Sequence, residues 1–244
     1  DNSPLDRVRA YADGGDDADI WAGLAELGVS ALLIPEAQGG IGLNPLDAAI
    51  VAQSLGAHIT PSPFLGTAVM APTALMASGG QYDDLLTEIA AGTHRVGIAF
   101  SEAIKRRNDA QVEARDGALF GKSLFAFDAD ADSYLVADQK QHLYLVAAHD
   151  PGLTRTHLTT VDKTRRTVEL TYDNAAAQSV STDVRVFESV LDIGRVAIAA
   201  DTMGAAQNML DQAVECAKQR EQFNRPIGSF QAVKHMCAEM AAQL

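Results

Sequence analysis

Ile193, Val196, Ala200, Met203, Gln207, Leu210, Val214 and Ala217 recur at spacings of three and four, the period of one face of an α-helix. The pattern lasts about seven turns, so the segment from Val190 reads as one long helix whose seam lies against other helices. Pro226 and Gly228 interrupt it beyond Arg220. Phe230, Val233, Cys237, Met240 and Leu244 then make a second apolar stripe. Two helices cannot bury all their apolar faces against each other. Either residues following Leu244 or another subunit must complete the bundle.

Upstream the period changes twice. In the first stretch it is helical: Ile20, Trp21, Leu24 and Leu27 share a face, with Gly28 placed to stop the helix. Asn44-Pro45 is an N-cap followed by proline at the first helical position, opening a helix that closes near Leu55-Gly56. Pro61, Pro63 and Pro72 punctuate the next stretch. Asp83 to Ala91 then buries Leu85, Leu86 and Ile89 before Gly92.

From Arg95 the helical period disappears. Val96 to Phe100, Tyr134 to Val136, Leu143 to Val146 and Thr167 to Tyr172 are strand-like runs, and Asp116-Gly117 within Val112 to Phe120 is a hairpin signal. The expected class is α+β, in the order N-terminal helical domain (1–94), middle β-domain (95–188) and the first two helices of a C-terminal bundle (189–244).

Charge and composition narrow the function. A formal charge of −13 over 244 residues opposes nucleic-acid binding, which needs Lys and Arg against phosphates. No run approaches the ~18 apolar residues of a membrane span, and the first residues show no secretory signal. Cys216 and Cys237 lack metal-ligand spacing, and a reducing, cytoplasmic setting suits them. The six histidines are scattered, so no metal site is expected. Gly39-Gly40-Ile41-Gly42 lacks the strand–turn–helix setting of a dinucleotide fingerprint.

One segment is far more specific. Arg220-Glu221-Gln222-Phe223-Asn224-Arg225-Pro226-Ile227-Gly228-Ser229-Phe230-Gln231 resembles the R-x-Q-F-G-x-P-I-x-x-F-Q signature of acyl-CoA dehydrogenases, with Asn224 in place of a glycine. Trp21 to Gly28, Ile34-Pro35-Glu36, Gly39 to Leu43 and Ala131 to Val136 are similar to further patterns of that family, at consistent spacing over nearly the whole chain. The resemblance implies an α–β–α fold, FAD as cofactor, an acyl-CoA thioester as substrate and an electron-transfer flavoprotein as acceptor. The expected reaction is α,β-dehydrogenation, in which a carboxylate removes the α-proton while hydride leaves the β-carbon.

By that resemblance Arg220 bonds the flavin pyrophosphate across a subunit interface, with Gln222, Phe223 and Gln231 contacting the same cofactor. The alternative has Arg220 capping a helix and Phe223 filling a core gap. The flavin-cradling segment departs from the family pattern: Ser101-Glu102 keeps the first hydroxyl and acid, but Ile104 to Asn108 replaces a Gly-Ser-Asp loop. The aromatic over the flavin aligns with Leu124 and the neighbouring threonine with Ala126, unless the register slips to Phe125. Most of the family carries its catalytic glutamate past the position of Leu244, and the helix-borne alternative is missing here. Where a minority of the family carries L-D-x-E-R, this chain reads Leu191-Asp192-Ile193-Gly194-Arg195. Asp192 and Arg195 match positions lining the acyl-CoA channel, or else are a helix-start charge and a surface arginine.

Three functions are compatible with these residues. The first is a non-catalytic partner in a heteromeric acyl-CoA dehydrogenase, similar to the pairs of actinobacterial steroid side-chain degradation. The second is a homotetrameric dehydrogenase with its base following Leu244. The third is a flavin-free structural or regulatory homologue.

Overall fold

The computed structural model describes residues 4–100, 103 and 110–244. Helices come first: α1 (Leu5–Ala12), α2 (Ala18–Glu26), α3 (Pro45–Ala57), a π-helical segment (Phe64–Met70) running directly into α4 (Ala71–Met76), and α5 (Asp83–Ala90). Eight strands then form one sheet: β1 (Val96–Ala99), β2 (Val112–Arg115), β3 (Ala118–Phe127), β4 (Ser133–Ala137), β5 (Leu143–Ala147), β6 (Leu153–Leu158), β7 (Thr167–Ala176) and β8 (Gln178–Ser181). The chain closes with α6 (Val184–Gln219), the hairpin β9 (Glu221–Gln222) and β10 (Arg225–Pro226), and α7 (Gln231–Gln243). This is the expected succession of N-terminal helices, central sheet and C-terminal helices.

The sheet order is β6-β7-β3-β1-β4-β5-β8, with β2 paired to β3. Among the described residues only β1 and β4 run parallel; the other pairs are antiparallel. Alternation along β4 explains its unbroken apolar run. Leu135 and Ala137 face a core shared with α4, α5, Phe187 and Val190, whereas Tyr134 and Val136 face a second core with Val146, Val168 and Leu170. A third core joins Trp21, Ala48, Ala52, Phe64 and Val69 to Ala197 of α6.

Local chemistry accounts for the element ends. Asn44 and Asp47 form a reciprocal capping box on α3. Asp116 and Gly117 both have positive φ, 50° and 80°, as a two-residue hairpin turn requires. The helical layer is pinned to the sheet by an ionic cluster. Arg95 bonds Asp17 at 2.9 and 3.2 Å and Asp128 at 3.0 and 3.2 Å, and all three side chains are largely out of solvent.

Several expectations are corrected. Leu27 is 79% exposed rather than buried, because α2 ends at Glu26. Pro72 does not interrupt the chain: the helical path of the π-helical segment continues through it into α4. The segment from Phe64 is consequently one buried helical stretch. Strands β6 and β8, unforeseen from the sequence, are edge strands, β6 with mostly exposed side chains and β8 with half of its own exposed. Helix α6 begins at Val184 and its buried face differs from the expected seam. It consists of Phe187, Val190, Gly194, Ala197, Gly204, Leu210 and Ala217, while Val196 and Met203 are 50% and 47% exposed. No residue of α7 is buried, and Met240 and Leu244 are each 41% exposed.

Candidate active site and cofactor motif

A cavity of about 310 Å³ opens between α6, the π-helical segment, β1 and β3. Met70, Ile98 and Phe100 form one side, and Leu191, Gly194 and Ile198 of α6 the other. Phe125 and Phe127 of β3 complete it. Phe125 reaches the cleft because the β3–β7 register shifts between Ser123 and Ala126, and Phe125 itself has a φ of 56°. Leu124 and Ala126 are buried in the sheet instead. The aromatic presented here is therefore Phe125, not the Leu124 position favoured by alignment. A bulge that reverses side-chain alternation leaves no periodic trace in the sequence.

No carboxylate lines this cleft among the described residues. Gly194 faces the thioether of Met70 so closely that a β-carbon on it would lie 2.8 Å from Sδ. A side chain at 194 would need the flexible Met70 thioether to move aside. Asp192 and Arg195 stand together at the rim, paired at 2.8 Å and 69% and 63% exposed. Arg195 lines the cleft while Asp192 turns to solvent.

The arginine motif lies at the other end of α6. Phe223 and Asn224, with φ of 55° and 59°, are the two turn residues between β9 and β10. Both positions of such a turn need the left-handed region. Asparagine tolerates it better than most residues, which explains Asn224 where the family has glycine. Arg220 caps α6 through its backbone: its N–H donates to the Cys216 carbonyl at 2.9 Å and its carbonyl accepts from Ile227 N–H at 2.8 Å. The Gln222 side-chain amide donates to the neighbouring Glu221 carbonyl at 2.8 Å. Phe223 is 87% exposed and meets Phe230 edge-on at 6.2 Å, while the Arg225 guanidinium stacks 4.0 Å above the Phe230 ring. Gln231 opens α7, also exposed. The fold gathers these residues into one surface unit, and Phe223 fills no core gap.

Arg220 lies 26 residues beyond Gly194, or about 39 Å along α6. One chain's motif and its own cleft therefore cannot touch the same cofactor. Ser101 and the basic loop 104–108 lie outside the described residues. The cleft's described lining suits a flat or aliphatic apolar group, with Arg195 its single charged side chain. The hairpin suits an anionic group. The apolar and the cationic surfaces that FAD would need therefore lie at separate places along α6.

A third constellation lies away from the cleft. His94 Nε2 lies 2.9 Å from Ser133 Oγ and its Nδ1 lies 3.3 Å from Glu88. Ser133 is only 4% exposed and does not line this cleft. Among the described residues no helix is long and apolar enough to cross a membrane.

The fold is that of an acyl-CoA dehydrogenase, and the chain belongs to that family. Residues 4–93 match the acyl-CoA dehydrogenase N-terminal domain and residues 184–244 the acyl-CoA dehydrogenase C-terminal domain. Among relatives, acyl-CoA dehydrogenase IpdE2 of Mycobacterium tuberculosis is 36% identical over 242 residues, covering 96% of this chain and 64% of that protein. Among solved structures, a variant of the Tcur3481-Tcur3483 steroid ACAD superposes with a TM-score of 0.86 at 29% identity, covering 97% of this chain and 68% of that one. The ChsE4-ChsE5 complex from Mycobacterium tuberculosis gives 0.85 at 25% identity, covering 96% and 67%. The chain spans just under two thirds of the length of IpdE2.

Proposed function

We propose that this chain is the non-catalytic subunit of a heteromeric, FAD-dependent acyl-CoA dehydrogenase that desaturates a bulky acyl-CoA such as a steroid side-chain thioester. The carrying observation is Gly194: where a helix-borne base would stand there is no side chain, and the Met70 thioether lies against it. A bound flavin would supply the hydride acceptor. In this reading a carboxylate of a paralogous subunit takes the α-proton.

This chain's own residues contribute binding. Phe125 and Phe127 offer aromatic walls to a flat ring, and the apolar cleft excludes water. Asp192 and Arg195 flank its mouth, where an acyl-CoA would enter. Arg220 supplies charge-assisted bonds to a pyrophosphate, Gln222 and Gln231 hydrogen bonds, and Phe223 an apolar face. The span of about 39 Å between cleft and motif favours delivery of that motif to a neighbouring subunit. Similarity to the ChsE4-ChsE5 complex and to a steroid ACAD supports a heteromer and a bulky substrate. An electron-transfer flavoprotein is the acceptor in this reading.

The test is FAD content and oligomeric mass of the full-length protein alone and co-expressed with a paralogous subunit. The reading expects a colourless protein alone and a yellow, active complex with the partner. A yellow protein that dehydrogenates acyl-CoA by itself overturns it. That result would favour a homotetramer with its base in sequence following residue 244, a reading left room by the share of IpdE2 that the chain spans. No flavin in either preparation would point to a structural or regulatory homologue.

A further inference from the structure

A second cavity, also about 310 Å³, adjoins the cleft. Gly194, Ile198, Asp201 and Ala205 succeed one another at spacings of four, three and four, so one face of α6 lines both spaces. Ile198 is common to the two. Gly194 and Asp201 are separated by about 10 Å of helix rise. A rigid acyl group with its reacting end beside Gly194 would therefore carry its far end towards Asp201.

The walls of this cavity are mostly apolar, among them Leu55, Ile59, Phe64 and Leu65. One side is charged. Asp201 accepts from Arg165 Nη2 at 2.6 Å, and Arg165 Nε lies 3.9 Å from Asp162, so one guanidinium serves two carboxylates. The two groups of the closer pair are each about one-third exposed. The backbone of Asp201 is fixed: a β-carbon on Gly56 of α3 would lie 1.9 Å from its carbonyl oxygen. Burial holds the Asp201 carboxyl above its ordinary range while Arg165 pulls the other way.

The ligand chemistry is set by this wall. A hydrocarbon pressed against it would strip water from the pair and return nothing. A carboxylate would meet Asp201 and Asp162 together, a repulsive arrangement. A hydroxyl is neutral, donates to the carboxylate and accepts from the guanidinium, satisfying both. We infer that this cavity is a recognition subsite for a distal hydroxyl on a rigid alicyclic acyl group, with Asp201 and Arg165 as the selecting residues. The inference rests on the reading that the Gly194 cleft takes an acyl thioester.

Titration calorimetry on the full-length protein in its complex would test it, using CoA thioesters of a decalin carboxylic acid with and without a hydroxyl on the far ring. The hydroxylated thioester should bind at least about tenfold more tightly, the scale of a hydrogen bond to a charged group. In Asp201→Ala the ratio of the two affinities should fall to about one, and in Arg165→Met to below about threefold, on the same scale. Equal affinities in the wild type, or an unchanged ratio in Asp201→Ala, overturn the inference while leaving the acyl-thioester reading intact. If neither thioester binds the wild type, that reading fails and the inference with it.

Discussion

The backbones of Gly56 and Asp201 are in direct contact, α3 lying so close to α6 that a methyl on the glycine would occupy the aspartate's carbonyl position. The same closeness recurs further along the crossing, where a β-carbon on Gly204 would meet the Gln53 carbonyl at 1.9 Å. Rigid backbone cannot give way as a side chain can. Gly56→Ala should therefore cost about 1–3 kcal/mol, the range of overpacked cores, as read from the urea unfolding midpoint. A loss below about 0.5 kcal/mol would mean the helices separate freely.

Arg95 makes the sharper stability prediction. Its guanidinium lies between Asp17 and Asp128, and its replacement leaves two buried carboxylates without a cation. Arg95→Ala should lose about 3–5 kcal/mol. Burial opposes the charge on Arg95, but the two aspartates outweigh it and hold the group above its ordinary range. Chemical denaturation of the variant beside wild type gives the number.

Alkaline sensitivity should come from two tyrosines. Burial, reinforced by Asp17, pushes Tyr11 from 10.0 up to about 12. Burial also pushes Tyr134 up to about 12, partly offset by Arg155. Between those values the unfolded chain has lost protons that the folded chain keeps. Stability is thus fully present below pH 10 and is lost as pH rises towards 12, by about 2–3 kcal/mol per tyrosine. Urea titrations at pH 9 and 11 should show the fall, and Tyr11→Phe should lessen it.

The exposed motif separates function from folding. Arg220→Ala and Phe223→Ala remove side chains that hold no core together, so unfolding midpoints should stay within about 0.5 kcal/mol of wild type. Flavin retention by the heteromer should nevertheless fall at least about tenfold for Arg220→Ala, since a charge-assisted bond to phosphate is lost. Retained flavin would remove Arg220 from the cofactor site.

The sequence declared what is locally encoded. Asn44-Pro45, Asp116-Gly117 and the long three–four series of α6 each specify their element through backbone chemistry within a few residues. Partners are not so encoded. Val196 and Met203 belong to an apolar series, yet the small residues Gly194, Ala197 and Gly204 form the face that α3 and Met70 cover, because close helix approach selects for size rather than hydrophobicity. Phe125 reached the cleft through a bulge, and Pro72 sits just past the point where the π-helical segment becomes α4. The motif residues were legible by resemblance, but their exposure was not. Asp201 and Arg165 are 36 residues apart and only the fold joins them.

Helix α6 also acts as a gauge. Its 36 residues fix both the distance and the angle between the cleft at one end and the hairpin at the other. Each residue inserted between them would advance the hairpin by about 1.5 Å and turn it by about 100°. One added residue would swing the arginine motif to another side of the molecule, whereas four would return it close to its original bearing one turn further out. The phase of a single helix thus governs which neighbouring surface this chain can serve.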